Sequence, residues 1–176
     1  WVGAMTGAEL NTSRASRDLG ISRETVNAYL EWLRMVFLVR EARPWSRNQT
    51  SKTSKRSKLY LTDTGLAAGI LNVDATALSA PTSPVVGPLL ETFVSHEIER
   101  QLTSSSQRIT QLHYRDHDGH EVDIILERPD GALVAVEVKA TTSPIAAQLK
   151  SVAWLRDKVD GSAPGTFRAG ILLHTG

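Results

Sequence analysis

The stretch EVDIILERPDGALVAVEVK, residues 121–139, decides the fold of this chain. It holds two β-prone runs, 121–127 and 132–139, rich in Val and Ile and separated by Asp130-Gly131. An Asp-Gly pair between such runs is a hairpin signal, because the turn needs a backbone conformation that glycine adopts without penalty. Asp123 interrupts the apolar run Val122, Ile124, Ile125, Leu126, where an ionised carboxylate costs free energy unless it is paired or bound to a cation. Glu137 and Lys139 are two apart, so on a strand they share one face while Val136 and Val138 occupy the other. If the strands are neighbours, both carboxylates and the ammonium converge.

An isolated acid on a strand is more simply a solvent-face residue, and Glu137 with Lys139 an exposed ion pair worth little. An Asp followed, after 13 intervening residues, by Glu-x-Lys, each within Val and Ile on successive strands, is less readily a surface accident. A carboxylate pair binds hard divalent cations through oxygen. A nearby lysine can orient the attacking water or stabilise charge on a phosphate.

Working outward, residues 109–114 form a third β segment, linked to the second through Asp118-Gly119, so the three are expected to make an antiparallel meander. Upstream, residues 87–102 read GPLLETFVSHEIERQL, with Pro88 suited to a first helical turn and Leu89, Leu90, Phe93, Val94, Ile98 and Leu102 forming a stripe at helical spacing. Glu91 lies beside that stripe. Downstream, Pro144 opens a helix through 158, with apolar Ile145, Ala146, Leu149, Val152, Ala153 and Leu155, and a last strand covers 169–174. The order of elements over 86–176 is α, β, β, β, α, β.

The first half has a different pattern. Residues 13–19 read as a short helix ended by Gly20, and Ser22 caps a second helix over 25–36, with Val26, Tyr29, Leu30, Leu33 and Phe37 as its expected buried face. Helix, glycine turn and capped helix make a helix-turn-helix, whose second helix can present its first residues to base edges. Those residues are Ser22, Arg23, Thr25 and Asn27. Two β-prone segments, 37–45 and 58–65, flank the polar, basic loop RNQTSKTSKRS, which reads as a wing. Arg47, Lys52, Lys55, Arg56 and Lys58, with Arg40 and Arg43, could neutralise phosphates without reading sequence. Thr62-Asp63-Thr64-Gly65 caps a helix over 66–71. Such a domain can equally pack against a neighbour and touch no nucleic acid.

The expected organisation of this α/β (α+β) chain is a winged helix-turn-helix domain over 1–75, a linker over 76–85 with small residues and prolines, and the αβββαβ unit over 86–176. Its 176 residues suffice for two small cores. Hydrophobic residues are 41% and charged residues 22%, too apolar for wholesale disorder. No window approaches the roughly 18 apolar residues of a membrane span, so a soluble protein is expected. Cysteine is absent, which excludes disulfides, thiolate nucleophiles and zinc ribbons and agrees with a cytoplasmic location. Residues 1–75 carry 11 Lys and Arg against 7 Asp and Glu, and residues 76–176 carry 9 against 12. A basic first half beside an acidic second half suits a phosphate-contacting module next to a carboxylate site. The start, WVGAMTGAEL, has neither an initiating Met nor the charge pattern of a signal peptide. A fragment of a longer protein is expected.

Residues 86–176 resemble the PD-(D/E)XK nuclease superfamily, with its restriction-endonuclease-like αβββαβ core. The matching signature is a helical Glu91, Asp123 on the second strand and Glu137-Val138-Lys139 on the third. Nearly the whole chain resembles the C-terminal region of prokaryotic AAA-type ATPases, in which a winged helix precedes such a nuclease-like domain. The stretches that carry this likeness are Asp18-Leu19-Gly20-Ile21-Ser22 with Thr25-Val26, residues 58–66 (KLYLTDTGL), residues 87–91 (GPLLE), residues 121–123 (EVD) and residues 137–139 (EVK). The resemblance implies a Mg2+- or Mn2+-dependent nuclease with Glu91, Asp123 and Glu137 on the metal, Lys139 assisting, DNA as substrate with RNA as a second choice, and an ATPase domain ahead of this region. No G-x-x-x-x-G-K-[ST] loop occurs here, so ATP binding by that route is not expected. His117-Asp118-Gly119-His120 falls at a hairpin tip, where the turn itself demands polar residues and Gly. The alternative function is a non-catalytic module that binds DNA or protein on a nuclease-like platform. The sequence leaves the oligomeric state open.

Overall fold

The computed structural model describes residues 1–47, 56–79 and 83–176. They divide into two compact units, one of Trp1–Ala42 with Arg56–Phe93, the other of Val94–Gly176 with the described residues of Arg43–Lys55. The chain is a mixed α/β protein.

In the first unit, α1 (Thr12–Leu19) and α2 (Arg23–Met35) are joined by the expected turn. Gly20 takes φ 67°, the left-handed region open to a residue without Cβ. The side chain of Asn11 accepts the Arg14 N–H at 3.0 Å, and Ser22 accepts that of Thr25 at 3.2 Å, so both helix starts are capped. Strands β1 (Ala8–Glu9) and β2 (Val39–Pro44) pair antiparallel with β3 (Lys58–Leu61), in registers Ala8 to Leu59 and Val39 to Leu61. Asp63 caps α3 (Thr64–Ile70) through the Leu66 N–H. Ala15, Val26, Leu30, Val39, Leu59, Leu61, Ala67 and Leu89 make the core.

Two expectations fail here. Val26 and Leu30 of α2 are buried, but Tyr29 is exposed and Phe37 is 81% exposed. The reason is local: α2 has ended, Leu38 N–H bonds Leu33 C=O at 2.9 Å across the helix end, and Phe37 itself sits at φ 57°. That reversal takes Phe37 off the helical face that Leu33 occupies. Trp32 is also exposed, its ring 5.6 Å from that of Tyr29. Part of the expected linker is instead the short helix α4 (Ala75–Ser79), whose first turn is capped by Asp74 accepting from Ala77 N–H at 2.8 Å.

Helix α5 (Val86–Thr103) contributes its first eight residues to the first unit and the rest to the second. Its buried line is Leu89, Thr92 and Ser95, while Phe93 of the expected apolar stripe is exposed. Small hydroxyl residues can be buried there because each is satisfied. Thr92 donates to Pro88 C=O at 2.7 Å, and Ser95 accepts from Gln111 Nε2 at 2.6 Å.

In the second unit, β4 (Thr110–Arg115), β5 (Glu121–Glu127) and β6 (Leu133–Lys139) form the expected antiparallel meander, with Leu112 opposite Ile125 and Ile124 opposite Val136. Gly119 and Gly131 take φ 88° and 84° in the two turns. β7 (Phe167–His174) runs parallel to β6, with Val136 beside Ile171. A parallel neighbour requires a crossover. Here it is a 3-10 turn, Ala146–Leu149, followed by α6 (Lys150–Asp160), so regular helix begins later than Pro144 suggested. Trp45, Leu112, Tyr114, Ile125, Leu133, Ala135, Val152, Leu155 and Val159 are among the buried residues of its core. A Cβ on Gly170 would approach Val152 Cγ1 to 2.5 Å, so glycine there permits α6 to lie close on β7. Arg43 and Pro44 run parallel beside Leu112 and His113.

Candidate functional site

Asp123, Glu137 and Lys139 come together in the second unit. The last ladder pair between β5 and β6 is Ile124 with Val136, and one residue beyond it Asp123 and Glu137 follow on neighbouring strands. Asp123 is 7% exposed and Glu137 6%. Asp123 Oδ2 accepts the Val138 N–H at 2.9 Å, so the carboxylate takes over where the ladder stops. The Lys139 ammonium bonds Glu137 Oε1 and stands 4.0 Å from Asp123 Oδ2. One ammonium beside two buried carboxylates offsets only one of their two formal charges, with the amine still partly open to solvent.

Glu91 belongs to the first unit. Its Oε1 accepts from Lys58 Nζ at 2.9 Å and from Tyr60 Oη at 2.7 Å. Both bonds fall on the same carboxylate oxygen. Lys58, expected as a wing cation reaching for phosphate, is instead 1% exposed. Burial of an ammonium is costly, and its carboxylate partner offsets that cost. The Arg40 guanidinium lies 5.1 Å over the Tyr60 ring in the same unit.

The remaining expected nucleic-acid contacts are dispersed. Arg23 and Asn27 are exposed at the start of α2, and Thr25 is half-buried, its hydroxyl 3.2 Å from that of Ser22. Glu24 shares this turn, and its carboxyl is held below the usual range by backbone N–H and by Ser22. A carboxylate suits a helix N-terminus but opposes an incoming phosphate. Arg56 is exposed in the first unit, whereas Arg47 belongs to the second and donates to Val159 C=O at 3.2 Å. Lys52 and Lys55 lie outside the described residues.

Among the described residues, no group of three or more His, Cys, Asp or Glu side chains is placed to hold a metal ion. The donor set that converges is two carboxylates. Magnesium keeps several waters and is commonly held by one or two carboxylates, so Asp123 and Glu137 fit such an ion. Among the described residues, no helix is long and apolar enough to cross a membrane.

A cluster that the sequence did not reveal joins β4, its turn and α6. His120 stacks on Trp154 at 3.8 Å and 8°, and its Nδ1 lies 3.1 Å from Asp116 Oδ2. Tyr114 Oη donates to Asp116 at 3.2 Å and accepts from Lys158 Nζ at 3.0 Å. Burial and the neighbouring Asp116 charge push the Tyr114 phenol well above its ordinary pKa. Asp116 and His120 are legible in the sequence as a turn, but Trp154 and Lys158 arrive from a helix some forty residues on.

A model described as a domain of unknown function (DUF4143) matches residues 86–176, just over half the chain. The chain belongs to the DUF4143 family. A second model, a domain of unknown function (DUF8612), matches residues 2–77 of this DUF4143 chain. Two curated relatives are 28% identical over 139 residues: uncharacterized protein Mb2031c of Mycobacterium bovis and uncharacterized protein Rv2008c of Mycobacterium tuberculosis. The alignments cover 79% of this chain and 29% of each relative, so the chain spans under a third of their length. No solved structure matches it.

Proposed function

We propose that the second unit is a restriction-endonuclease-like, divalent-metal-dependent nuclease module that hydrolyses nucleic-acid phosphodiesters. The observation that carries this reading is the meeting of two buried carboxylates, Asp123 and Glu137, with the Lys139 ammonium beside the end of one ladder. Asp123 and Glu137 would hold magnesium or manganese, which when bound supplies charge neutralisation on the phosphate and a more acidic water. Asp123 is steadied by the Val138 N–H. Lys139, released from Glu137, aligns the attacking water or stabilises charge developing on the phosphoryl oxygens. The first unit, read as a winged helix, would position DNA, or less readily RNA, through Arg23, Asn27 and Arg56. By resemblance the chain acts as the C-terminal part of a cytoplasmic ATPase.

The test is incubation of the chain with single- and double-stranded DNA and RNA in magnesium or manganese. Cleavage is expected, with loss in Asp123→Asn and Lys139→Gln. Cleavage unchanged in both variants overturns the assignment.

A second reading is supported by the same ammonium. Lys139 already provides part of the countercharge that a metal would bring, and Glu91 is engaged by Lys58 and Tyr60. On that reading the fold is a binding platform without turnover. Manganese binding by electron paramagnetic resonance separates the two, since a platform of this kind takes up no ion at Asp123 and Glu137.

A further inference from the structure

We propose that the second unit carries a phosphate-binding cleft, formed where the chain following β2 meets the C-terminal end of α6 and centred on Arg47 and Lys158. The cleft has a volume of about 270 Å³ and is lined by Trp45, Ser46, Arg47, Tyr114, Lys158 and Ser162, with Val159 behind them. Two of these residues are cationic, and none of the described lining residues is acidic. An adjoining hollow of about 230 Å³ shares Trp45, Ser46 and Arg47 and reaches Glu127, whose carboxylate accepts from Trp45 Nε1 at 3.0 Å.

Both cations are held at one end and have donors to spare. Arg47 gives one N–H to Val159 C=O at 3.2 Å, and a guanidinium has five in a planar fork suited to phosphate oxygens. Lys158 gives one of three N–H groups to Tyr114 Oη at 3.0 Å and lies 4.4 Å over the Trp154 ring. Tyr114 stays a neutral phenol, so it orients the ammonium without cancelling its charge. The nearest acid of this cluster, Asp116, accepts from the Asp118 and His120 N–H groups at 3.0 and 2.9 Å and faces the His120 ring.

The two cations differ in what they complement. Basic residues at a helix C-terminus complement its dipole and its open carbonyls, and Arg47 does so at Val159. Lys158 contacts no helix carbonyl through its ammonium; it is directed over aromatic rings beside the opening. A fork and a fixed ammonium around a hollow of this size match a phosphate bearing two or more free oxygens. Inorganic phosphate, a phosphomonoester and a nucleic-acid backbone all present that chemistry.

The inference uses neither Asp123 nor Glu137 and is tested apart from cleavage. The isotope-labelled 176-residue chain is titrated with inorganic phosphate and, separately, with a thymidine oligonucleotide of about a dozen nucleotides, following amide resonances. Shifts are expected at Ser46, Arg47, Lys158 and Ser162, retained in Asp123→Asn. In Lys158→Gln, affinity for the oligonucleotide falls and its logarithmic salt slope drops by about 1. Ser162→Asp, which sets a carboxylate at an exposed lining position, weakens binding without touching the core. Phosphate displacing the oligonucleotide identifies a backbone site; response to phosphate alone identifies a small phosphate ligand. Absence of shifts at these residues with both probes, or unchanged affinity in both cleft variants, overturns the proposal.

Discussion

Asp123 accepts the backbone N–H of Val138 at 2.9 Å, so a single carboxylate closes the β5–β6 ladder and also faces the Lys139 ammonium 4.0 Å away. This structural role and the proposed metal-binding one fall on the same side chain, and two substitutions separate them. Asp123→Asn keeps an acceptor oxygen and is expected to unfold in urea within about 1 kcal/mol of the parent. Asp123→Ala leaves a buried N–H without its acceptor and is expected to lose about 1–3 kcal/mol. Both variants are expected to lose manganese binding. Retained binding in Asp123→Asn, measured calorimetrically, would remove Asp123 from the metal site.

Lys58 and Glu91 form a buried pair at 2.9 Å. Removing one partner strands the other charge, so Lys58→Met is expected to destabilise the first unit by about 3–5 kcal/mol. The double variant Lys58→Met with Glu91→Leu recovers most of that loss, because no uncompensated charge is left. Thermal unfolding of the two singles and the double reads the coupling. Additive losses would mean that the pair contributes only packing.

Phe37 stands at φ 57° directly after α2, where glycine is the favoured residue. A left-handed conformation costs a residue with Cβ about 1–2 kcal/mol. Phe37 is 81% exposed and so has little burial to offset that cost. Phe37→Gly is expected to raise the melting temperature by about 2–4 °C, the shift that about 1 kcal/mol makes in a chain of this length. A lower melting temperature would show that the ring contributes more than its exposure indicates.

Burial opposes ionisation of Asp116, but the His120 N–H and ring and the Tyr114 hydroxyl outweigh it and hold the carboxyl below its ordinary value of 3.8. A depressed folded-state pKa contributes stability above the unfolded value and loses it as pH falls through the folded one. The stability difference between parent and Asp116→Asn is therefore expected to be full near neutrality and to shrink below pH 3.8. Urea midpoints from neutral to acid pH measure it. A gap that stays constant with pH would contradict the assigned bonds.

Much of the local structure was legible because local rules suffice for it. Ser22, Gly20 and Asp63 act through neighbours three or four residues away, and all three cap or end helices as their chemistry suggests. Gly119 and Gly131 supply the positive φ that the hairpins need. Alternation placed Glu137 and Lys139 on one face. Where partners come from distant segments, the same rules misled. Lys58 lies in a basic, polar neighbourhood of sequence but is buried against Glu91 and beside Tyr60. Phe93 continues an apolar period, yet Thr92 and Ser95 occupy the buried line because their hydroxyls find partners.

The sequence alone was enough for the order of the main helices and strands over 86–176 and for the convergence of Asp123, Glu137 and Lys139, since a period of two and an Asp-Gly turn are properties of adjacent residues; it did not foresee β1 or α4. Only the folded arrangement set the pairing of Glu91 with Lys58 and Tyr60 and the burial of Lys58. Each of these depends on which charged groups are brought within a few ångströms across long stretches of chain, and the electrostatic cost of burial is settled only by that pairing.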